Sequence, residues 1–330
     1  MISNEDCNSI VANGFLVVRS FLSTEEAEAV HQDFLSQDIS ANQNYALKTP
    51  TNTALDIVRP KIECIANALS EQAGIKTNFD GYHQSYYFAS QLLNFSRWHQ
   101  DAESYFAVQN HLDYLNFYVP VFKPVKEKTN VQVVPWERIE ERSPDIVDKL
   151  RGQGGTIYVP RGAKTMVLVD EGLLATLPYD IHELGHTPEL GPGDLLLMRG
   201  DTIHRTQDVD TVRVALSLRL ANPETPVCLK KLSSGGSMKT NKMAYNWGEF
   251  GPIFESLRLA ENRTLPWKTV RQRIEDAYAP TQRSSSAKAR MEIIKCKFQT
   301  GTVCQSLYYA FRRYLAMRKI SRASVEKDST

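Results

Sequence analysis

From Thr211 to Leu220 the chain alternates: Val212, Val214, Leu216, Leu218 and Leu220 fall on one side, and Arg213, Ala215, Ser217 and Arg219 on the other. Neighbouring strand residues point to opposite faces, so this is a strand with one aliphatic and one polar face. The aliphatic face needs a covering layer, which leaves the small and polar face to line a cavity. Just upstream, the apolar run Leu195-Leu196-Leu197-Met198 lies between two turn sequences, Gly191-Pro192-Gly193-Asp194 and Arg199-Gly200-Asp201, and reads as another strand. Residues 82–135 are rich in aromatic and β-branched positions, among them Tyr86, Tyr87, Phe88, Phe117 and Tyr118, which predicts strands there too.

The ends of the chain carry a different period. Residues 1 to about 80 predict a short strand and two helices. Ser23 or Thr24 caps the first, with Glu25 and Glu26 in its first turn; the second starts after Pro60, runs from Lys61 to about Ala73 and stops at Gly74. These helices are the expected cover for the aliphatic face. After Pro223, Ser233-Ser234-Gly235-Gly236-Ser237 reads as a loop, and helical spacing returns at about 252–262, 267–278, 286–299 and 303–321. Leu307, Tyr308, Phe311, Tyr314 and Leu315 give the last helix an apolar side ringed by Arg312, Arg313, Arg318 and Lys319, which reads as a helix packed on its own domain, the alternative being one that lies on a membrane or binds an acidic partner.

The polar positions that interrupt this pattern carry chemistry. In Trp98-His99-Gln100-Asp101, His99 and Asp101 are two apart on a strand and point to one side, so both can hold one metal ion. A third ligand has to come from elsewhere, and His204 follows the second turn, where a strand would deliver it. Two histidines and a carboxylate on one face, with the opposite positions open, is the donor set of non-haem Fe(II) oxygenases. On the polar face of the last strand, Arg213 offers a guanidinium fork suited to a carboxylate.

One run competes. His182-Glu183-Leu184-Gly185-His186 spells the zinc-peptidase signature, in which two histidines one helical turn apart bind zinc and the glutamate activates water. Pro178 and Pro188 bracket it, Gly185 weakens it and the Gly191-Pro192-Gly193 turn follows at once, so a connection between strands is the better reading.

Taken in order, Gly14-Phe15-Leu16-Val17-Val18, Phe21-Leu22-Ser23-Thr24-Glu25-Glu26, the Trp98–Asp101 run, the Gly191–Leu197 turn and strand, His204 and Arg213-Val214-Ala215-Leu216-Ser217 resemble the phytanoyl-CoA dioxygenase family of Fe(II)/2-oxoglutarate oxygenases. The resemblance covers roughly residues 10 to 222. It implies a mainly β fold with α: a double-stranded β-helix (jelly roll, cupin-like) core with N-terminal covering helices and a C-terminal helical extension. It also implies Fe(II) held by His99, Asp101 and His204, with 2-oxoglutarate and O2 as co-substrates and Arg213 on the far carboxylate. Arg219, on the same face, and Asn130 are further candidates for the co-substrate. After Asn130 the chain departs from the family, which writes Asn-Gly there and closes its strand with Pro-Gly-Ser-His; here Val131 follows the Asn, and Trp136-Glu137 follow Pro135. The expected domains are 1–222 for the oxygenase (helices 1–80, jelly-roll core 81–222) and 223–330 for a basic helical extension packed on it.

Composition bounds the rest. The chain has 330 residues and a net charge of +1, which gives no reason to expect nucleic acid. The charge is uneven, since residues 281–330 hold 11 Lys and Arg against 3 Asp and Glu. Cys7, Cys64, Cys228, Cys296 and Cys304 have no paired metal spacing, Met1-Ile2-Ser3-Asn4-Glu5-Asp6 has no signal pattern, and Asp328-Ser329-Thr330 is no peroxisomal address, so a reduced, cytoplasmic setting is expected. The expected partner is a small molecule, with no transmembrane segment and a monomeric or homodimeric chain. The expected activity is oxidation of a C–H bond, by hydroxylation, cyclisation or desaturation, of a small carboxylate-bearing compound of secondary metabolism. Arg161, Lys164, Arg199, Arg205 and Arg219 are candidate anchors for its acidic group, and segment 82–118 supplies an aromatic wall. The alternative from another class is a non-catalytic jelly-roll binding protein.

Overall fold

The structure is a computed structural model and describes residues 2–37, 49–89, 97–152, 156–169, 172–229, 231 and 263–278. The helices expected at 252–262, 286–299 and 303–321, with Cys296 and Cys304, lie outside those residues.

The first element, α1 (Asn4–Asn13), was not foreseen, although its signal is present. Ser3 and Asp6 form a capping box, with the Ser3 amide donating to the Asp6 carboxylate at 2.7 Å, and Gly14 ends the helix in the left-handed conformation at φ 85°. Strand β1 (Phe15–Val18) leads to α2 (Thr24–Leu35), which Ser23 and Glu26 cap in the same reciprocal way. Helix α3 (Asn52–Ala73) corrects the expected start at Lys61, because it begins after Thr51 and carries Pro60 inside. An interior proline removes a helical hydrogen bond and usually ends a helix. Here Ala54, Val58, Ile62, Ile65, Ala66 and Leu69 bury one stripe on both sides of Pro60, and that packing carries the helix through.

The remaining elements are β2 (Asn78–Ala89), β3 (Trp98–His99), α4 (Ala102–Phe106), β4 (Tyr114–Phe122), β5 (Val131–Val134), α5 (Trp136–Arg142), α6 (Pro144–Leu150), β6 (Ile157–Arg161), β7 (Lys164–Val169), β8 (Gly172–Leu177), β9 (Leu195–Arg199), β10 (Ile203–Thr206), β11 (Val214–Ala221), β12 (Pro226–Cys228), β13 (Thr264–Pro266) and α7 (Trp267–Tyr278). Two antiparallel sheets result, one ordered β1-β9-β4-β11-β2 and the other β5-β10-β3-β6-β7-β8. Tyr118, Leu196, Met198 and Ala215 from the first sheet share a buried cluster with Val131 and Val133 from the second, so the two sheets enclose one interior. This is a jelly roll, the double-stranded β-helix.

The outer faces decide where the interior opens. Val214, Leu216, Leu218 and Leu220 of β11 pack with Ile10, Val30, Ile62 and Leu69 of the N-terminal helices. Each buried leucine contributes about 1.5–3 kcal/mol relative to exposure. Val212 does not join them; it precedes the strand and is 39% exposed. The outer face of the second sheet is covered by α5 and α6, with Trp136, Ile139, Val147 and Leu150 packed on Trp98, Tyr158 and Ile203. Those helices occupy the stretch after Pro135 where the chain leaves the family pattern.

Beyond Pro223, β12 and β13 pair with each other, and neither was foreseen. Helix α7 lies on β2, where the buried indole of Trp267 donates to the Gly81 carbonyl at 3.2 Å. Among the described residues no helix is long and apolar enough to cross a membrane.

Candidate metal centre

Strand β10 runs antiparallel to β3 with His204 directly opposite His99. The two imidazoles are 4.4 Å apart between ring centroids. Asp101 follows β3 at the N-cap of α4, yet its carboxylate makes no capping bond, and Oδ1 lies 3.8 Å from His204 Nε2. One ligand atom from each of the three residues falls within 4.8 Å of the other two, close enough for one ion. Between them Gln100 turns the other way and donates to the carbonyls of Leu150 at 3.1 Å and Asp201 at 2.9 Å.

The protein holds both imidazoles in a metal-binding form. His99 Nδ1 is 2.8 Å from the Arg97 carbonyl and His204 Nδ1 is 2.9 Å from the Thr202 carbonyl. A carbonyl only accepts, so Nδ1 carries the proton on each ring and Nε2 keeps the lone pair. Asp101 is 5% exposed and is supported from the first sheet. Ser217 Oγ donates to Asn116 Oδ1 at 2.8 Å, which turns the Asn116 amide to donate to Asp101 Oδ2 at 3.4 Å. Arg219 Nε stands 3.6 Å from the same oxygen.

A close backbone approach sets the distance between the two halves of the site. Ser104 Oγ donates to the carbonyls of Asp101 at 2.9 Å and Gly200 at 3.1 Å, tying α4 to the β9–β10 turn. A Cβ on Gly200 would sit 2.5 Å from Ser104 Cβ, so only glycine lets the turn come this near. Gly200→Ala is expected to push Ser104, and Asp101 with it, away from His204. Fe(II) affinity measured by titration should fall about 10-fold or more, as for other changes behind metal ligands; unchanged affinity would show that the approach does not set the site.

The interior beside the triad is lined by cations and rings. Arg219 is 4% exposed, donates to the Tyr86 hydroxyl and lies 4.7 Å over the Tyr86 ring, which meets Phe88 edge-on. Burial pulls its guanidinium down to about 9, so it remains cationic at neutral pH. Arg213 is 2% exposed just before β11, donates to the Thr129 carbonyl at 3.1 Å, and stands with Cζ 5.7 Å from the Tyr118 ring centre. Thr129 adopts φ 55°, a costly conformation for a β-branched residue, held by its bonds to Asp208 and Thr211.

Other candidates fall elsewhere. The Asn130 amide is committed to the fold: Oδ1 accepts from Lys123 Nζ and from the Leu190 amide, and Nδ2 donates to the Lys126 carbonyl. Arg199 is bound into a buried pair with Asp201, and Arg161 and Lys164 are exposed at the β6–β7 turn. Arg205 points outward, over Trp98 and bonded to Gln132. Of the five proposed anchors, Arg219 alone faces the triad. The aromatic wall expected over 82–118 includes residues 90–96, which lie outside the described residues. Asn116 and Ser217, which orient Asp101, were not anticipated as site residues. Their signal is that both are polar and fall on the cavity side of their strands.

The His182–His186 run is no helix. Ile181–Leu184 forms a single 3-10 turn; His182 bonds Asp180 at 2.8 Å, Glu183 pairs with Arg142 at 2.7 Å, and His186 exchanges backbone bonds with Val133 and stacks on Phe15. Among the described residues the run forms no metal-binding group. The double change His182→Ala and His186→Ala is expected to leave the metal content of the protein unchanged. Zinc lost with those two residues, and retained in His99→Ala, would return the peptidase reading.

Fold and donor set together define a jelly-roll protein with two histidines and one carboxylate placed so that they could hold one metal ion. Solved structures similar to it include the non-haem α-ketoglutarate-dependent epimerase SnoN and carbocyclase SnoK, both from nogalamycin biosynthesis, and EvdO2 from Micromonospora carbonacea var. aurantiaca complexed with 2-oxoglutarate. SnoN is 12% identical, with 67% of this chain and 83% of its own covered and a TM-score of 0.43. SnoK is 14% identical, covering 68% and 85% at 0.44, and EvdO2 is 16% identical, covering 67% and 91% at 0.43. Likeness at this level carries neither a reaction nor a substrate over to this chain. No family model matches the chain and no curated protein matches its sequence, so the phytanoyl-CoA dioxygenase resemblance rests on the motifs themselves.

Proposed function

We propose that the chain is a non-haem Fe(II)- and 2-oxoglutarate-dependent oxygenase that oxidises a C–H bond of a small, carboxylate-bearing metabolite. The observation that carries this reading is the convergence of two Nε2 lone pairs and one carboxylate, each imidazole proton tied back to a carbonyl, on an interior that also holds Arg213 and Arg219. Neutral imidazoles and a carboxylate suit Fe(II) and leave positions open for small-molecule ligands. Bound there, Fe(II) and 2-oxoglutarate supply the oxidising chemistry, with succinate and CO2 as co-products.

The residues of the chain do the positioning. His99, Asp101 and His204 would hold the ion, and Asn116 and Arg219 stand against Oδ2 of Asp101 and orient its carboxylate. Arg213 binds the far carboxylate of the co-substrate with a charged donor. Arg219 is a buried cation beside the triad, with its Nε 3.6 Å from Asp101 Oδ2, which supports a role in receiving an acidic group of the substrate. The edge-on rings of Tyr86 and Phe88 give that part of the interior an apolar wall.

Charge supports an acidic substrate. Arg219 is a buried cation beside Asp101, and Arg213 is a second buried cation, over the ring of Tyr118 inside the roll.

The experiment is anaerobic loading with Fe(II) and 2-oxoglutarate, a metabolite library, and succinate release on admitting O2. Acids that stimulate succinate formation, where their amides do not, are the expected result; no succinate above the protein-free rate with any compound would favour the binding-protein alternative. Arg213→Ala is expected to raise KM for 2-oxoglutarate by the loss of a charge-assisted fork, about 1.5–3 kcal/mol per bond. An unchanged KM would move that role to Arg219.

A further inference from the structure

Strands β6, β7 and β8 extend the second sheet past β3, away from the strands that carry the triad. The sheet ends there in β8, Gly172-Leu173-Leu174-Ala175-Thr176-Leu177, which among the described residues pairs with β7 alone. A sheet edge presents a row of backbone donors and acceptors, and proteins ordinarily blunt it with charge, proline, a cover or a very short strand. The other three edges follow that rule. Strand β1 is four residues long, and Val133 of β5 exchanges backbone bonds with His186 at 2.9 Å and 2.7 Å. Along β2, Arg271 donates to the carbonyls of Phe79 at 3.4 Å, Asp80 at 3.2 Å and Tyr82 at 3.1 Å.

Strand β8 differs. It has no charged residue and no proline, and Leu173 is 46% exposed on it. Its one guard is a slip of register with β7 at Leu174, which shortens the straight stretch of edge without covering it.

The charges at the two ends of β8 indicate what pairs there. Leu177 is in register with Thr165, beside the exposed Arg161 and Lys164 of the β6–β7 turn, so this end is basic. At the other end, Asp170 and Glu171 precede Gly172 in the sequence. In antiparallel self-pairing a twofold axis crosses the seam, and the Gly172 end of each strand lies beside the Leu177 end of the other. Acids of one copy then face bases of the other at both ends, whereas parallel self-pairing would set like charges together. The edge is its own complement in one orientation.

We propose that β8 is the contact surface of a homodimer, in which two copies of the chain join their second sheets by antiparallel β8–β8 pairing and cover Leu173 of each. The contact is one short ladder, so the dimer is a weak one. It does not rest on the oxygenase reading.

Sedimentation velocity of the full chain over a range of concentrations reads the assembly, with circular dichroism as the check on folding. The parent is expected to pass from monomer to dimer as concentration rises. Leu173→Lys changes an exposed side chain and puts a cation of each copy at the seam. It is expected to weaken the dimer about 10-fold or more, the scale of one leucine lost from a buried contact. Two charge variants test the orientation, Arg161→Glu with Lys164→Glu, and Asp170→Lys with Glu171→Lys. Each alone is expected to dimerise more weakly than the parent, because like charges meet at both ends. Mixed in equal amounts they are expected to dimerise more tightly than either alone, since one copy then carries acids at both ends and the other bases. A parent that stays monomeric up to its highest soluble concentration overturns the proposal. So does a dimer that Leu173→Lys leaves unchanged, or a mixture no tighter than its components.

Discussion

In His204→Ala, Fe(II) per chain is expected to fall from near one to near zero, and 2-oxoglutarate-dependent succinate formation to fall to the rate without protein. Residues behind metal ligands are worth 10–100-fold in affinity, so loss of a ligand should cost more than about 100-fold. The fold should survive, because β10 keeps its backbone pairing to both β3 and β5 whatever side chain stands at 204. Asp101→Ala should lose iron equally but is the less clean variant, since it deprives the buried Arg219 of the carboxylate 3.6 Å away. Metal analysis after anaerobic purification, with circular dichroism as the check on folding, reads both. A folded His204→Ala that keeps a full complement of iron would remove that residue from the centre.

The second large effect is on stability and comes from a residue first considered as a substrate anchor. Arg199 makes two bonds to Asp201, 2.6 Å and 2.9 Å, with side-chain exposures of 5% and 0%. It also donates to the carbonyls of Ile10 at 3.2 Å and Val11 at 2.7 Å, near the end of α1. Replacing Arg199 with alanine leaves the Asp201 carboxylate buried without its partner and frees those carbonyls, a change that typically costs about 3–5 kcal/mol. For a domain of this size that corresponds to a drop in Tm of roughly 6–20 °C. The paired change Arg199→Met with Asp201→Leu should recover much of the loss, since burying neither charge avoids the desolvation cost. A Tm for Arg199→Ala within about 2 °C of the parent, in a calorimetric scan, would show that the pair holds nothing.

The parts of the fold that were legible in the sequence were those governed by local periodicity. Leu216, Leu218 and Leu220 alternate with Ala215, Ser217 and Arg219, and because a strand has period two, such a pattern can only put one set on a covered face and the other inside. The first helices were legible in type but not in extent. The capping box at Ser3 is a local signal for α1, whereas Pro60 reads as a helix start because local rules make proline a breaker. Its tolerance depends on a buried stripe whose partners lie on other elements.

For the centre, the chain by itself determined that His99 and Asp101 are neighbours on one side, since two positions on an extended backbone settle that. It also ordered His204 and Arg213 after a turn and a strand. What the tertiary structure decided is everything that depends on which strands pair and which faces meet. Antiparallel pairing puts His204 opposite His99, the carbonyls of Arg97 and Thr202 select the tautomer of each ring, and the near contact of Gly200 with Ser104 brings the Asp101 segment to the β10 turn. The same geometry sorted five interchangeable cations, turning Arg205 outward, committing Arg199 to Asp201 and leaving Arg219 beside Asp101. It likewise reduced His182 and His186 from a zinc signature to a turn, because a five-residue motif specifies spacing along the chain, whereas binding a metal requires a helix that the flanking prolines and the pairing of His186 with Val133 do not allow.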